Sequence, residues 1–244
     1  MELRFLGHAC FLLDDGACKV LTDPFLSGAG HPDWAEQVRP DYIFVTHGHG
    51  DHVGDAAAIA RRTGAQVCCT ADLADAVFGP AGVSCIAGNL GGTVRLPFGS
   101  AKFIQALHGG GAAGCPACGF LFEMGGRTIY HAGDTALTLD MALLEDAHID
   151  AALLPIGDFY TMGPADALRA VKLIKPKLTI PMHYDTFPAI AQDPAAFATS
   201  SMRVRMYVPL EQLTARAPSP AAGSYSTSSS RETTTCLAGR STSI

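Results

Sequence analysis

The sequence has few charged residues and no long apolar run. Charged residues make up 16% of the 244 residues, and there is a single tryptophan. No apolar segment approaches the roughly 20 residues that a membrane-spanning helix needs. The start, Met1 to Phe5, lacks the cationic segment and apolar core of an export signal. These absences predict a cytoplasmic protein with no membrane partner.

Basic residues are also scarce. The chain has 17 Lys and Arg against 23 Asp and Glu, which gives a net charge of −6 and a sequence pI near 5.8. A surface that binds nucleic acid needs clustered Lys and Arg, so we expect no nucleic-acid partner. A small-molecule substrate is the expected partner, and the sequence leaves a homo-oligomer open.

Most of the chain has the composition of a folded domain. Hydrophobic residues make up 48% of it, which is enough apolar surface to bury a sizeable core. Residues 214–244 are rich in Ser, Thr, Ala, Pro and Gly instead, and cannot bury enough apolar area to offset their ordering entropy. We therefore predict a folded domain over residues 1–213 and a disordered tail over residues 214–244.

The eight cysteines are interpreted as reduced and structural. The chain is long and lacks an export signal, and several of its cysteines stand in apolar, strand-like surroundings. Cys115-Pro116-Ala117-Cys118 is the exception, because its spacing also suits a metal knuckle or a redox pair. A loop that carries two cysteines is the expectation here, with a reversible disulfide as the alternative.

Three histidines and an aspartate stand within six residues, in Thr46-His47-Gly48-His49-Gly50-Asp51-His52. This segment directly follows the apolar run 42–45, which is typical of a buried strand. Crowded imidazolium ions would repel one another, whereas a divalent cation accepts their neutral lone pairs. The two glycines let the backbone aim alternate side chains at one point. The segment therefore predicts a metal site.

The predicted elements alternate between strands and helices. An antiparallel meander opens the chain, and an α/β region follows the metal segment with a helix from Val53 to Arg62. Strands return over residues 92–130, with Gly125-Gly126 as a hairpin turn. Later helices, including Pro164–Ile174, precede further strands, of which the last is Val204–Val208. The order of elements predicts an α/β protein.

The HxHxDH pattern at the end of a strand resembles the signature of the metallo-β-lactamase superfamily. The order of the later candidates is similar too: His108, then Asp134 in a Gly-Asp context, then His183. The resemblance spans roughly residues 1 to 210. Three phrases, Leu6-Gly7-His8-Ala9, Tyr130 to Thr135 and Pro181 to Pro188, look closer still to small bacterial metal-dependent hydrolases related to the ascorbate-6-phosphate lactonases. The resemblance implies an αββα sandwich, with two mixed sheets packed face to face and helices outside.

The resemblance also implies a metal-dependent enzyme with two divalent ions, with Zn²⁺ as the leading candidate and Mn²⁺, Ni²⁺ or Fe²⁺ as alternatives. It assigns His47, His49 and His108 to the first ion and Asp51, His52 and His183 to the second, with Asp134 as the bridge. A metal-bridging hydroxide would then attack an ester, lactone or phosphoester bond. The residues expected to act in catalysis are Asp51, Asp134 and His8.

Several residues near these ligands carry weaker predictions. His8 is expected to bind substrate or deliver a proton, with a structural hydrogen bond as the alternative, and His131 to orient a metal ligand. Tyr184 is a further proton-donor candidate. His31 and His148 are expected to be surface residues. The candidates for contact with substrate, on a pocket rim, are Asp158, Tyr160 and Thr161.

Two other functional classes stay open. The same scaffold houses mono-iron oxidoreductases such as persulfide dioxygenases, which would contain one iron per chain and consume oxygen. A binding protein without activity would normally have lost ligands, and all seven expected positions are filled here.

Overall fold

The computed structural model describes residues 1–199 and 242–243. The first of its two sheets has seven strands, in the spatial order β13-β1-β2-β3-β4-β5-β6. The strands are β1 (Glu2–Gly7), β2 (Cys10–Asp14), β3 (Lys19–Thr22), β4 (Tyr42–Phe44), β5 (Gln66–Thr70), β6 (Cys85–Gly88) and β13 (Thr242–Ser243).

The second sheet has six strands, in the order β12-β11-β10-β9-β8-β7. The strands are β7 (Thr93–Leu96), β8 (Gly99–Gln105), β9 (Cys118–Met124), β10 (Arg127–His131), β11 (Ala151–Pro155) and β12 (Leu178–Met182).

Strand directions bring one set of chain segments to a common edge. In the first sheet, β3, β4, β5 and β6 are parallel, and β1 runs with them because β2 is antiparallel to both β1 and β3. In the second sheet, β10, β11 and β12 are parallel, and β8 runs with them because β9 is antiparallel to both β8 and β10. Within each sheet, these parallel strands therefore end at the same edge. The segments that leave from this edge are those that follow β1, β3 and β4 in the first sheet and β8, β10 and β12 in the second.

Six α-helices, one π-helical turn and two 3₁₀ helices complete the described part of the chain. The α-helices are α1 (Pro32–Gln37), α2 (Gly50–Val53), α3 (Ala56–Thr63), α4 (Ala71–Leu73), α5 (Pro164–Ile174) and α6 (Pro194–Thr199). A π-helical turn covers Ala74–Phe78, and 3₁₀ helices cover Leu139–Ala147 and Pro188–Ile190. None of the helices in these residues is long and apolar enough to span a bilayer.

The inner faces of the two sheets form the main core. Phe44 of β4 packs against Phe120 and Phe122 of β9, with ring centroids 5.0 and 4.8 Å apart. A second buried cluster joins the outer face of the first sheet to α3, where Ile59 packs among residues such as Val67. The predicted αββα sandwich is confirmed.

The helix predicted from Val53 to Arg62 is wrong at its start. The structure has α2 and α3 instead, separated at Gly54, whose φ is +37°. A Cβ at Gly54 would overlap the carbonyl oxygen of Pro24, so the close approach of that loop requires glycine here. As a result, Asp51 and His52 lie on a short helix of their own.

The predicted domain boundary and tail fall largely outside the described residues. The same holds for the predicted strand Val204–Val208. Thr242–Ser243 pair antiparallel with β1, which departs from the disorder predicted for them. For the rest of 214–244, the disordered tail stays a prediction.

Candidate metal centre

Three histidines from two sheets meet at the common strand edge. His47 and His49 follow β4, and His108 follows β8. Nε2 of His47 lies 2.9 Å from Nδ1 of His49, and Nε2 of His108 lies 3.3 Å from the same atom. Ligands of one tetrahedral zinc ion, each about 2.0–2.1 Å from it, lie about 3.3 Å from one another. The three nitrogens are therefore spaced for one ion.

A second group lies beside the first. Asp51, His52 and His183 form it together with His8, and their ligand atoms all lie within 4.8 Å of one another. Nε2 of His183 is 3.6 Å from the carboxylate of Asp51. Asp51 is the most accessible of these side chains, at 26% exposed. Solvent therefore reaches the second group on the Asp51 side.

Asp134, which follows β10, faces both groups. Its Oδ1 lies 3.3 Å from Nε2 of His52, and its Oδ2 lies 3.1 Å from Nε2 of His183. The same Oδ2 is 3.5 Å from Nε2 of His108 and 3.9 Å from Nε2 of His47. This carboxylate occupies the position between the two groups that a bridging ligand requires.

Four buried polar atoms of the centre lack a hydrogen-bond partner among the described residues. Such atoms nearly always have one. The four are His52 Nε2, Asp134 Oδ1 and both ring nitrogens of His183. A cation placed among His52 Nε2, Asp134 Oδ1 and His183 Nε2 satisfies these three atoms, so the donor set fits a metal. The structure brings all seven predicted ligands together, and that they bind metal stays a prediction.

The electrostatics of the metal-free centre favour positive charge at its middle. Burial lowers the pKa of His183, but the carboxylates of Asp134 and Asp51 outweigh burial and raise that pKa to about 9. The pKa of His52 is likewise raised, because Asp134 and Asp23 outweigh its burial. Burial and neighbouring His52 lower the pKa of His47 to about 3. Protons on His52 and His183 thus occupy places that a cation would take.

Asp23, after β3, is a functional residue that the sequence reasoning missed. Its fully buried carboxylate accepts hydrogen bonds from the backbone N–H of Thr46, from the Thr46 hydroxyl and from Nδ1 of His52, each at 2.8 Å. The Thr46 hydroxyl also lies 3.0 Å from Nδ1 of His47. Asp23 and Thr46 therefore fix two of the imidazole rings by the nitrogens that face away from the metal position.

Three side chains at this edge stand on strained backbone. His8, Asp23 and His183 have φ values of +54°, +35° and +55°. Non-glycine residues in this region are uncommon and cluster at functional sites. The amide of His183 donates to the carbonyl of His8 at 2.7 Å, which links β1 to β12 across the sheets. His8 and His183 are thus held by a direct connection between the two sheets.

Comparison with known proteins places the chain in a family. The model of the beta-lactamase superfamily domain matches residues 2–183. A UPF0173 metal-dependent hydrolase from Symbiobacterium thermophilum is 50% identical over 203 residues, which cover 81% of this chain and 90% of the relative. This chain belongs to the metallo-β-lactamase superfamily. Within it, another UPF0173 metal-dependent hydrolase, from Heliobacterium modesticaldum, is 48% identical over 211 residues. The match covers 81% of this chain and 88% of the relative.

A solved structure of a metallo hydrolase has the same fold. Igni18, a metallo hydrolase from the archaeon Ignicoccus hospitalis, has a TM-score of 0.78 and 32% identity, and the match covers 84% of this chain and 94% of Igni18. These relatives do not favour the oxidoreductase alternative. The predicted relation to ascorbate-6-phosphate lactonases stays a prediction.

His8 contacts the centre through Asp51. Its Nε2 lies 3.1 Å from the Asp51 carboxylate and its Nδ1 lies 2.9 Å from the Thr186 hydroxyl. The ring is fully buried, and burial lowers the pKa of His8. Both ring nitrogens of His8 have hydrogen-bond partners. These contacts are those of a residue that orients Asp51. The predicted catalytic role of His8 stays a prediction.

His131 contacts backbone rather than a ligand side chain. Its Nε2 donates to the carbonyl of Ala9 at 2.9 Å, and its Nδ1 accepts from the amide of Gly133 at 3.1 Å. Because Gly133 precedes Asp134, His131 positions Asp134 through the backbone turn.

The predicted pocket-rim segment lies next to the centre. The amide of Met162 donates to the carbonyl of Thr135 at 3.0 Å, one residue after Asp134. Asp158 and Tyr160 are exposed on this segment, and Thr161 is half-buried. Contact of these residues with substrate stays a prediction.

Of the remaining predicted residues, Tyr184 and His31 line a pocket together with His8. Tyr184 is buried and stacks on Phe5 with ring centroids 6.3 Å apart, and burial raises the pKa of its hydroxyl. His31 is half-buried against Trp34, and His148 is exposed.

The two cysteines of the CxxC segment are both buried and unbonded to each other. The thiol of Cys118 donates to the carbonyl of Thr46 at 3.2 Å, next to His47. Burial raises the pKa of both thiols, which keeps them protonated at neutral pH.

Proposed function

We propose that this metal-dependent hydrolase holds two divalent ions, with Zn²⁺ as the leading candidate, and cleaves an ester, lactone or phosphoester bond in a small substrate. The observation that supports it is the convergence of seven side chains. His47, His49 and His108 would hold one ion and Asp51, His52 and His183 the other, with Asp134 between them.

Two divalent ions at such a centre supply a water of lowered pKa and polarise the substrate oxygen. The chain's own residues set the conditions for this chemistry. Asp23 and Thr46 keep Nε2 of His52 and of His47 directed inward. Asp51 and His108, at 26% and 14% exposed, form the side of the centre that substrate can reach.

The carboxylates also match the charge of the ions. Asp51 and Asp134 cancel part of the charge of two dications, and His8 donates to Asp51 to fix its orientation. The pKa of Asp134 is well below its usual range, because His52 and His183 outweigh the effect of burial. Asp134 is therefore ionised and ready to bind cations at neutral pH.

Replacement of the bridging residue tests the proposal. Asp134→Ala should lower metal-dependent turnover by at least about a hundredfold, with unchanged circular dichroism. Turnover is measured on lactones, thioesters, phosphomonoesters and phosphodiesters with Zn²⁺, Mn²⁺ and Ni²⁺. Asp150→Asn is the matched control, since Asp150 is a buried carboxylate that precedes β11, at the opposite edge of the same sheet.

Two results would contradict the proposal. One is full activity in the Asp134→Ala protein. The other is one iron per chain in protein purified without added metal, together with oxygen uptake on persulfides, which would support the oxidoreductase alternative instead.

A further inference from the structure

Three large apolar side chains are exposed beside the centre. Leu107, Phe159 and Tyr160 are 56%, 72% and 55% exposed, and we call them the apolar rim. The rings of Phe159 and Tyr160 pack edge to face, with centroids 4.8 Å apart. Single exposed apolar residues need no explanation, whereas a group next to a functional site indicates a binding surface.

The apolar rim has two parts, Leu107 and the pair Phe159 and Tyr160. The chain segments that carry them are both hydrogen-bonded to Thr135, the residue after Asp134. The hydroxyl of Thr135 accepts from the amide of Leu107 at 3.1 Å. The carbonyl of Thr135 accepts from the amide of Met162 at 3.0 Å, which closes the loop that carries Phe159 and Tyr160. The apolar rim is therefore held in a fixed relation to Asp134.

The same two segments also adjoin metal-binding candidates directly. Leu107 immediately precedes His108, which lies on the open side of the centre. At the other end, a Cβ at Gly157 would overlap the carbonyl oxygen of His183, so the loop starts in contact with that residue. A substrate placed at the centre would thus meet the apolar rim.

The charge of these loops argues against an anionic substrate. Within residues 1–199, no lysine or arginine occurs in the segments that surround the centre, namely 22–31, 46–54, 106–117, 132–138, 156–163 and 183–193. Protein sites that recognise phosphate beyond a metal ion commonly use Arg or Lys. The exposed charged side chain beside Phe159 is the carboxylate of Asp158.

We propose that the substrate is an uncharged ester or lactone whose acyl or aryl group packs on the apolar rim. This inference rests on the proposed hydrolase function and narrows it. In the reaction, water adds OH to the acyl carbon, the acyl–oxygen bond breaks, and the departing oxygen takes the proton. The products are a carboxylic acid and an alcohol, or a hydroxy acid from a lactone.

A chain-length series tests the proposal with the metal-loaded full-length protein. The probes are p-nitrophenyl acetate, butyrate, hexanoate and octanoate, with bis(p-nitrophenyl) phosphate as the anionic probe. We expect kcat/KM to rise by about twofold for each added methylene, because each one is partly buried on the apolar rim. The double variant Phe159→Ala, Tyr160→Ala should lower the octanoate-to-acetate ratio about tenfold.

Leu90→Ala is the matched control. Leu90 is an exposed leucine in the turn between β6 and β7, which are edge strands of the two sheets. Its octanoate-to-acetate ratio should equal that of the wild type. Circular dichroism and light scattering check the fold and the molar mass of each variant.

Four outcomes would overturn the inference, each in a distinct way. An unchanged ratio in the double variant removes the role of the apolar rim, and a changed molar mass with an unchanged ratio assigns these residues to self-association instead. Cleavage of the phosphodiester without cleavage of any ester refutes the substrate class but leaves the hydrolase function standing. Failure of the metal-loaded protein to cleave any probe would count against the hydrolase function itself.

Discussion

Asp23 offers a sharp test of how the centre is built, because it touches no predicted metal position. Asp23→Asn replaces a fully buried carboxylate that accepts three hydrogen bonds, two from Thr46 and one from Nδ1 of His52. Burial raises the pKa of Asp23, but the neighbouring His52 outweighs burial and lowers it. The wild-type side chain is therefore charged, and the variant removes that charge at nearly constant shape.

The expected magnitude follows from these contacts. An asparagine has one acceptor oxygen, so its NH₂ group must face the amide of Thr46 or Nδ1–H of His52, donor against donor. A hydrogen bond to a charged group contributes about 1.5–3 kcal/mol. Loss of an orienting partner of a metal ligand typically costs 10- to 100-fold in metal affinity, or about 1.4–2.7 kcal/mol. The free energy expected from the lost hydrogen bond therefore agrees with the free energy expected from the loss of metal affinity.

Competition with a chromophoric chelator measures the result. The second ion, held by His52, should bind about 10- to 100-fold more weakly in Asp23→Asn, and the first ion should lose less, because its ligand His47 contacts Asp23 only through Thr46. Asp150→Asn, which alters a buried carboxylate far from the centre, should leave both affinities unchanged. Wild-type affinities in Asp23→Asn, or an equal loss in Asp150→Asn, would refute this reasoning.

Two further predictions concern stability. Gly111 and Gly114 have φ values of +75° and +80°, but a Cβ at Gly111 would also overlap the backbone of Gly48, whereas Gly114 has open space. Gly111→Ala should therefore lower the free energy of unfolding by about 1–3 kcal/mol more than Gly114→Ala, as measured with urea; equal losses would contradict this. In the metal-free protein, the pKa of His183 is raised to about 9, above the unfolded value of about 6.5, so its stabilisation is full below pH 6.5 and lost as pH rises through 9. The free energy of unfolding should fall by up to roughly 3 kcal/mol over this interval, and saturating Zn²⁺ should abolish the slope; a rise in stability would contradict the assignment.

The predicted ligand set could be obtained from the sequence because each candidate follows a strand. His47, His49 and His52 stand out because they lie within six residues of one another. His108 and His183 stand out because each directly follows an apolar run. Parallel strands end at one edge, so residues that follow them come together regardless of their separation along the chain. These positions suggested candidates, and the assignment of His108, Asp134 and His183 as ligands came from the resemblance to the metallo-β-lactamase superfamily.

Other features depend on contacts that no local pattern contains. Asp23 is a single aspartate before a proline, and only its burial beside His52 distinguishes it from a turn residue. The break at Gly54 has a similar origin, since the helix ends there because of the approach of Pro24. A lone acidic residue at a strand end was the available signal for Asp23, and it is too common to be specific.

The connections between the sheets explain why loss of a ligand should remove activity before it removes the fold. Backbone hydrogen bonds that involve no ligand side chain join the two sheets at this edge, from the amide of Cys118 to the carbonyl of Thr46 at 3.1 Å and from the amide of Gly48 to the carbonyl of Gly110 at 2.8 Å. The phenylalanine core behind them is independent of the ligands. Small zinc domains fold only with metal because nothing else orders their ligands. Here strands of two hydrogen-bonded sheets position the ligands, so we expect a bound ion to add stability by mass action, about 2.7 kcal/mol at a hundredfold excess over its Kd, rather than to be required for folding.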